Sequence, residues 1–316
     1  MNDRSPSNVL TLSIAAVERD TGLSKDTLRV WERRYGFPMP ARDTGGERAY
    51  PLEQVEKLRL LKRLLDAGHR PGRVVALPLH DLQALAESTV DLPQPTSMAA
   101  TAWNDDELLA YLALLKTHDM PALRRQLSSD LLRVGLPSFV CDLLVPLNRA
   151  VGEAWLRGQL EIFEEHAYTE ALQAVLRQAL STLPPAGPAA RPRVLLATLP
   201  GEPHGLGLLM AEALLAIDGL PCVAMGVQLP VWDIVRAAEA YRSDIVTLGF
   251  TGCTNPNHTV DALQELRSKL PAGVALWAGG SAPVLQRRRI PGVTPLPDLA
   301  DLAPALAAWR QAASAE

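Results

Sequence analysis

The chain has 316 residues, 47% of them hydrophobic and 21% charged, enough for two or three domains with separate cores and typical of a soluble globular protein. Its formal net charge of −4 conceals a division: residues 1–75 hold 14 Lys and Arg against 10 Asp and Glu, and the remainder holds 17 against 25. A basic head on an acidic body reserves any contact with a polyanion for the head. No apolar run reaches the roughly 18–20 residues of a membrane span. The first residues lack a signal-peptide core, so a cytoplasmic protein with no membrane partner is expected. Cys141, Cys222 and Cys253 are odd in number, far apart and form no C-x-x-C pair. That predicts buried, reduced thiols rather than a disulfide framework or a thiolate metal sensor.

In the head, residues 13–21 read as a short helix with Ser13 as N-cap and Gly22 as its stop. Ser24 caps a second helix running to about Tyr35, on which Leu28, Trp31 and Tyr35 share one face while Lys25, Arg29 and Arg33 lie on the other. A helix packed by one face and offering cations from the opposite one suits the major groove. Gly45-Gly46 permits a tight hairpin turn, with Arg42 and Arg48 flanking its tip as in a wing that grips phosphates. A long amphipathic helix from Pro51 to Ala67, ended by Gly68, carries the stripe Val55, Leu58, Leu61, Leu65.

The segments Thr27-Leu-Arg-Val-Trp-Glu-Arg-Arg-Tyr-Gly36, Gly45-Gly-Glu-Arg-Ala-Tyr50 and Val55-Glu-Lys-Leu-Arg59 keep the order and spacing of the MerR-type winged-helix regulators, and the head resembles them over about residues 11–75. The resemblance implies a DNA-binding surface made of Lys25, Thr27, Arg29, Arg33, Arg42, Arg48 and Tyr50, and dimeric binding to an inverted-repeat operator in double-stranded DNA. The long dimerisation helix of many relatives has no counterpart here. Residues 82–87 form only a short helical stretch before the prolines at 93 and 95. A homo-oligomer, dimer or tetramer, is therefore expected to form through later parts of the chain.

Residues 81–103 read as a linker. From 104 to 183 the pattern is helical in four segments, 105–117, 121–134, 137–157 and 161–182, whose short connections suggest a four-helix bundle. Trp155 closes the third segment, and Glu165-His166 opens the fourth after nine intervening residues. Taken alone this is a core Trp beside a solvated Glu-His pair. The same spacing resembles the cap of the CarH/LitR light-responsive repressors, in which Trp, Glu and His approach the upper side of adenosylcobalamin. Those photoreceptors commonly carry a histidine directly after the Trp; here the residue is Leu156, which cannot coordinate cobalt.

After a proline-rich hinge at 184–192, apolar strand-like runs at 194–199, 222–226, 245–250, 274–277 and 292–294 alternate with helical stretches at 206–218, 230–242, 258–269, 282–289 and 298–313. This predicts a doubly wound, Rossmann-like parallel α/β domain over 192–316. Three ligand candidates fall at strand C-terminal ends: Glu202-Pro203-His204-Gly205-Leu206-Gly207, Thr251-Gly252-Cys253, and Gly279-Gly280. A dinucleotide is disfavoured, because Met210 replaces the third glycine of its fingerprint and the second strand ends without an acidic residue.

Together these runs resemble the cobalamin-binding domain of methyltransferases, mutases and the light-responsive repressors, whose pattern Asp/Glu-x-His-x-x-Gly sets the histidine below the cobalt. The resemblance implies His204 as lower axial cobalt ligand and Glu202 as the residue orienting its ring. It implies glycine-assisted close approach at Gly207, Gly279 and Gly280, and Thr251-Gly252 at the nucleotide tail. Adenosylcobalamin, or another cobalamin form, is the expected cofactor. The expected protein is a multidomain regulator, a repressor by resemblance and not an enzyme, with a winged helix-turn-helix at 1–80, a capping bundle at 104–183 and a cobalamin-binding domain at 192–316. Light, a cobalamin metabolite signal, and a cap working without cobalamin stay open as inputs. A corrinoid-dependent methyltransferase component is the outlying alternative, for which no substrate domain is visible.

Overall fold

In the computed structural model, residues 11–43, 45–66, 68–89, 103–252 and 256–314 are described. They divide into two compact units, one holding the head up to residue 94 with residues 156–159, the other holding 95–155 and 160–316.

The first unit opens with β1 (Thr11–Ser13), α1 (Ile14–Thr21), α2 (Lys25–Tyr35), β2 (Ala41–Arg42) and β3 (Arg48–Pro51), and closes with α3 (Leu52–Asp66), α4 (Pro71–Val74) and α5 (Leu79–Thr89). The capping signals act as expected. Ser13 accepts from the Ala16 amide, Ser24 accepts from the Thr27 amide at 3.1 Å, and Gly22 and Gly36 end their helices with φ of 70° and 69°. The hairpin pairs Arg42 with Arg48, and β1, which the sequence pattern does not reveal, adds on by pairing Leu12 with Tyr50. Val55, Leu58, Leu61 and Leu64 are the buried stripe of α3, with Leu65 only half-buried, so the face continues at three-residue spacing beyond Leu61. Residues 81–89, expected as linker, belong to α5, and the rest of that stretch, 90–102, lies outside the described residues.

The second unit begins with α6 (Asp105–Lys116) and α7 (Met120–Val134). The third helical segment is continuous but not uniform: α8 (Leu136–Ser138), a π-helical stretch Phe139–Leu144, and α9 (Val145–Leu156). Pro146 has no N–H and crowds the preceding turn, and the wider winding just before it, with the Val145 amide bonded to the Val140 carbonyl, accommodates the ring. Then follow α10 (Ile162–Thr182), β4 (Val194–Ala197), α11 (Leu206–Ile217), β5 (Cys222–Ala224), α12 (Val231–Ala240), β6 (Ile245–Gly249), α13 (Pro256–Lys269), β7 (Ala275–Gly279), α14 (Pro283–Arg287), β8 (Val293–Leu296) and α15 (Leu302–Ala313).

All five strands run parallel in the order β5-β4-β6-β7-β8, so the order reverses between β4 and β6. Crevices at such reversals, outside the strand C-termini, are where open α/β sheets bind ligands. The apolar run 206–217 has two jobs. Leu208, Ala211 and Leu215 pack on the sheet, while Leu209, Met210 and Ala213 enter the core of the helical region. Side chains extend the join: the Tyr168 hydroxyl donates to Asn148 Oδ1 at 2.5 Å, and Asn148 Nδ2 reaches Met210 Sδ at 3.1 Å. No described helix is long and apolar enough to cross a membrane.

Candidate functional site

The turn between β4 and α11 holds the densest polar cluster of the α/β region. Glu202 is fully buried, and both oxygens of its carboxylate face donors or a ring nitrogen. Oε1 lies 2.6 Å from His204 Nδ1 and accepts the His204 amide at 3.1 Å. Oε2 accepts the Thr251 amide at 2.6 Å and the Thr251 hydroxyl at 2.8 Å. Burial opposes charge on this carboxyl, but the bonds from His204 and Thr251 hold its pKa below the ordinary value. An ionised Glu202 can only accept, so Nδ1 carries the imidazole proton in the neutral ring and Nε2, on the far side of the ring, keeps the lone pair. That is the tautomer of a metal-binding histidine with a carboxylate behind it.

Thr251 thus comes from the end of β6 to meet a turn at the end of β4, across the reversal in strand order. Gly252 follows it, and at both Gly252 and Gly207 an added Cβ would meet none of the described residues within 4 Å. At Gly280 the chain supplies a steric reason of its own for a glycine. Its φ is 108° and a Cβ there would fall 2.2 Å from the Phe250 carbonyl oxygen, so the chain itself demands this glycine. Gly279 similarly faces the Leu296 carbonyl, 3.2 Å from where its Cβ would be. Cys253 lies outside the described residues. Cys141 and Cys222 are free thiols, part-buried rather than buried as expected, and burial pushes the Cys222 thiol up to about 12. Among the described residues no group of three or more His, Cys, Asp or Glu could hold a bare metal ion.

Of the cap candidates, Glu165 and His166 meet each other at the start of α10, with His166 Nδ1 2.9 Å from Glu165 Oε2 and the Thr169 hydroxyl on Glu165 Oε1 at 2.8 Å. His166 is largely exposed. Trp155, at the end of α9, packs against the same core that takes in Leu206, two residues after His204. Leu156 is buried. Sequence reasoning missed Glu164, which is buried and receives Lys116 Nζ at 3.0 Å, His118 Nε2 at 3.1 Å and the Glu161 amide at 2.7 Å. It ties the end of α6 to the start of α10; the Glu161-x-x-Glu164 spacing of a capping box was the available signal.

In the head, Arg29, Arg33 and Arg48 line a concavity of about 710 Å³ together with Asp26, Val30 and Glu32. Arg33 and Arg29 are exposed, Arg29 with a 3.1 Å contact to Asp26. Arg42 is exposed and donates to the Gly46 carbonyl. Lys25 lies 3.5 Å from Glu18, and the Thr27 hydroxyl is bonded to Ser24. Two of the expected DNA contacts are drawn into the head. Arg48 forms an ion pair with Glu32 at 2.8 Å, fastening the hairpin to α2. Tyr50 is fully buried, and its hydroxyl has no hydrogen-bond partner among the described residues.

Comparison with known proteins completes the assignment. The MerR HTH family regulatory protein model matches residues 12–77, and a B12 binding domain model matches residues 110–179, which are the helices of the cap region. The chain is 31% identical over 264 residues to the HTH-type transcriptional repressor CarH of Myxococcus xanthus, covering 83% of this chain and 86% of that protein. It belongs to the MerR-type HTH transcriptional regulators fused to a B12-binding domain. Within this family it is also similar to the repressor CarA of Myxococcus xanthus, at 29% identity over 275 residues, 86% of this chain and 88% of CarA. The transcriptional regulator MlrA of Escherichia coli matches at 29% over 125 residues, 39% of this chain and 44% of MlrA. Membership makes the chain a non-enzymatic regulator with DNA and cobalamin as partners.

Proposed function

We propose that the chain is a transcriptional repressor whose oligomeric state and operator binding are controlled by adenosylcobalamin. Residues 1–80 read DNA, 104–183 form a four-helix cap, and 192–316 hold the cofactor from below. The observation carrying this reading is the buried Glu202 carboxylate behind His204 at the strand reversal. It turns Nε2, a borderline donor suited to cobalt, away from the carboxylate, and no described residue lies within 4 Å of where a Cβ on Gly207 or Gly252 would be. Bound adenosylcobalamin supplies a cobalt–carbon bond that light can cleave. On the other side Trp155, Glu165 and His166 would cover the upper face. For control, the cofactor has to bind the operator-competent assembly more tightly than the other state, and each tenfold of preference is worth about 1.4 kcal/mol.

Leu156 favours a second input. An apolar residue at that place cannot serve as a cobalt ligand after photolysis, which supports cobalamin acting as a metabolite signal without light. The experiment is reconstitution with adenosylcobalamin in darkness, recording the visible spectrum, the elution volume and binding to a duplex selected from random sequence. The measurements are repeated after green illumination. Failure to retain corrinoid would end the cofactor reading. Retained corrinoid, with elution and DNA binding unchanged by photolysis, leaves the metabolite signal and eliminates the photoreceptor.

A further inference from the structure

Thr198 lies at the end of β4, is fully buried, and was not among the residues the sequence singled out. Its hydroxyl uses both of its hydrogen-bonding capacities. It donates to the Glu202 carbonyl at 2.5 Å and accepts the Gln228 amide at 2.8 Å. Its backbone does the same work, since the Thr198 amide donates to the Gly226 carbonyl at 3.2 Å and the Leu229 amide donates to the Thr198 carbonyl at 2.8 Å. One residue therefore holds the turn bearing His204 and the turn that follows β5.

That second turn has two features of its own. Gln228 has a φ of 59°, a left-handed conformation that non-glycine residues adopt at a cost, so the bonds to Thr198 over-determine it. Val227 is 43% exposed and rests on the His204 turn: a Cβ on Gly205 would fall 2.9 Å from Val227 Cγ1. Gly205 itself has an ordinary φ of −104°, so this glycine serves contact and not backbone freedom. A half-exposed apolar side chain adjoining a histidine turn is what the apolar face and methyl groups of a flat macrocycle would meet.

We infer that the Val227 and Gln228 turn is a third wall of the corrinoid site, and that Thr198 is the positioning residue that sets His204 against it. The inference rests on the cobalamin reading above. A hydroxyl is needed because a donor and an acceptor must act from one atom between two backbones; serine can do this and valine cannot.

The test uses the full-length protein titrated with adenosylcobalamin in darkness, reading affinity and the fraction of bound corrinoid with the histidine-ligated spectrum. Thr198→Val should weaken binding on the order of tenfold or more, as loss of an outer partner of a metal-bound histidine does, and lower that fraction. Thr198→Ser should restore both. Gly205→Ala should reproduce the loss, and adding Val227→Ala should relieve it; this pair decides the matter if Thr198→Val does not fold by circular dichroism. A Thr198→Val protein equal to wild type in both readouts, or a Thr198→Ser protein no better than Thr198→Val, overturns the positioning role alone. Wild type that takes up no corrinoid overturns the cobalamin reading and this inference with it.

Discussion

His204 Nδ1 lies 2.6 Å from Glu202 Oε1, and the carboxylate it faces is fully buried. An acid so placed is tolerated only because four groups from two turns share its charge, and the same bonds turn the imidazole so that its second nitrogen faces away from them. His204→Ala should abolish the histidine-ligated corrinoid spectrum. Glu202→Gln should retain the ring but lower cobalamin affinity by roughly 10- to 100-fold. Titration followed in the visible range checks both, and an unchanged spectrum in His204→Ala would remove the histidine as axial ligand.

The arginines of the head separate by their partners. Arg29 and Arg33 are exposed on the concavity beside α2, so Arg29→Ala and Arg33→Ala should each weaken DNA binding while leaving corrinoid uptake intact. The slope of log affinity against log salt should shrink by about one for each phosphate that is no longer neutralised. Arg48→Ala should instead lower the stability of the head, since it leaves Glu32 without its ion pair. Salt-dependent DNA titrations beside thermal melts distinguish the two classes.

Tyr50→Phe offers a sharper contrast. The buried hydroxyl has no partner among the described residues, so its removal should be neutral or stabilise the head by about 1 kcal/mol, with DNA affinity unchanged. A clear drop in DNA affinity would show that the hydroxyl reaches the nucleic acid after all.

Asp244 should be one source of acid sensitivity. Burial opposes its charge, but hydrogen bonds from Arg191 and the Arg193 amide, with the Arg191 charge, hold its pKa below the ordinary aspartate value. A depressed carboxyl contributes stability that is fully present above the unfolded value, near 3.9, and is lost as pH falls through the folded one. Asp244→Asn should destabilise the α/β region by about 1–3 kcal/mol at neutral pH, and the difference from wild type should narrow below pH 4. Urea melts across that range measure it; a constant difference would refute the assignment.

Much of this molecule is legible along the chain because its causes are local. Ser13, Gly22, Ser24 and Gly36 act on amides and carbonyls within four residues. The strand and helix periods of 194–313 reflect burial on both faces of a parallel sheet, and Glu202 and His204 are close enough in sequence that the turn alone brings them together. What such local reasoning does not supply is the surroundings of Arg48, Tyr50 and Gly280.

Those outcomes depend on partners far away in sequence. Arg48 is held by Glu32, Tyr50 is covered where β1 and β3 pair, Gly280 gives way to the Phe250 carbonyl, and Thr198 reaches a turn thirty residues away. Composition, capping and periodicity by themselves determined the basic helical head, the helical middle and the sheet with its histidine turn. Only the tertiary structure decided which polar groups are taken up inside the protein and which remain for a ligand. A hydrogen bond needs atoms within about 3 Å, and the order of residues along a chain does not specify that distance.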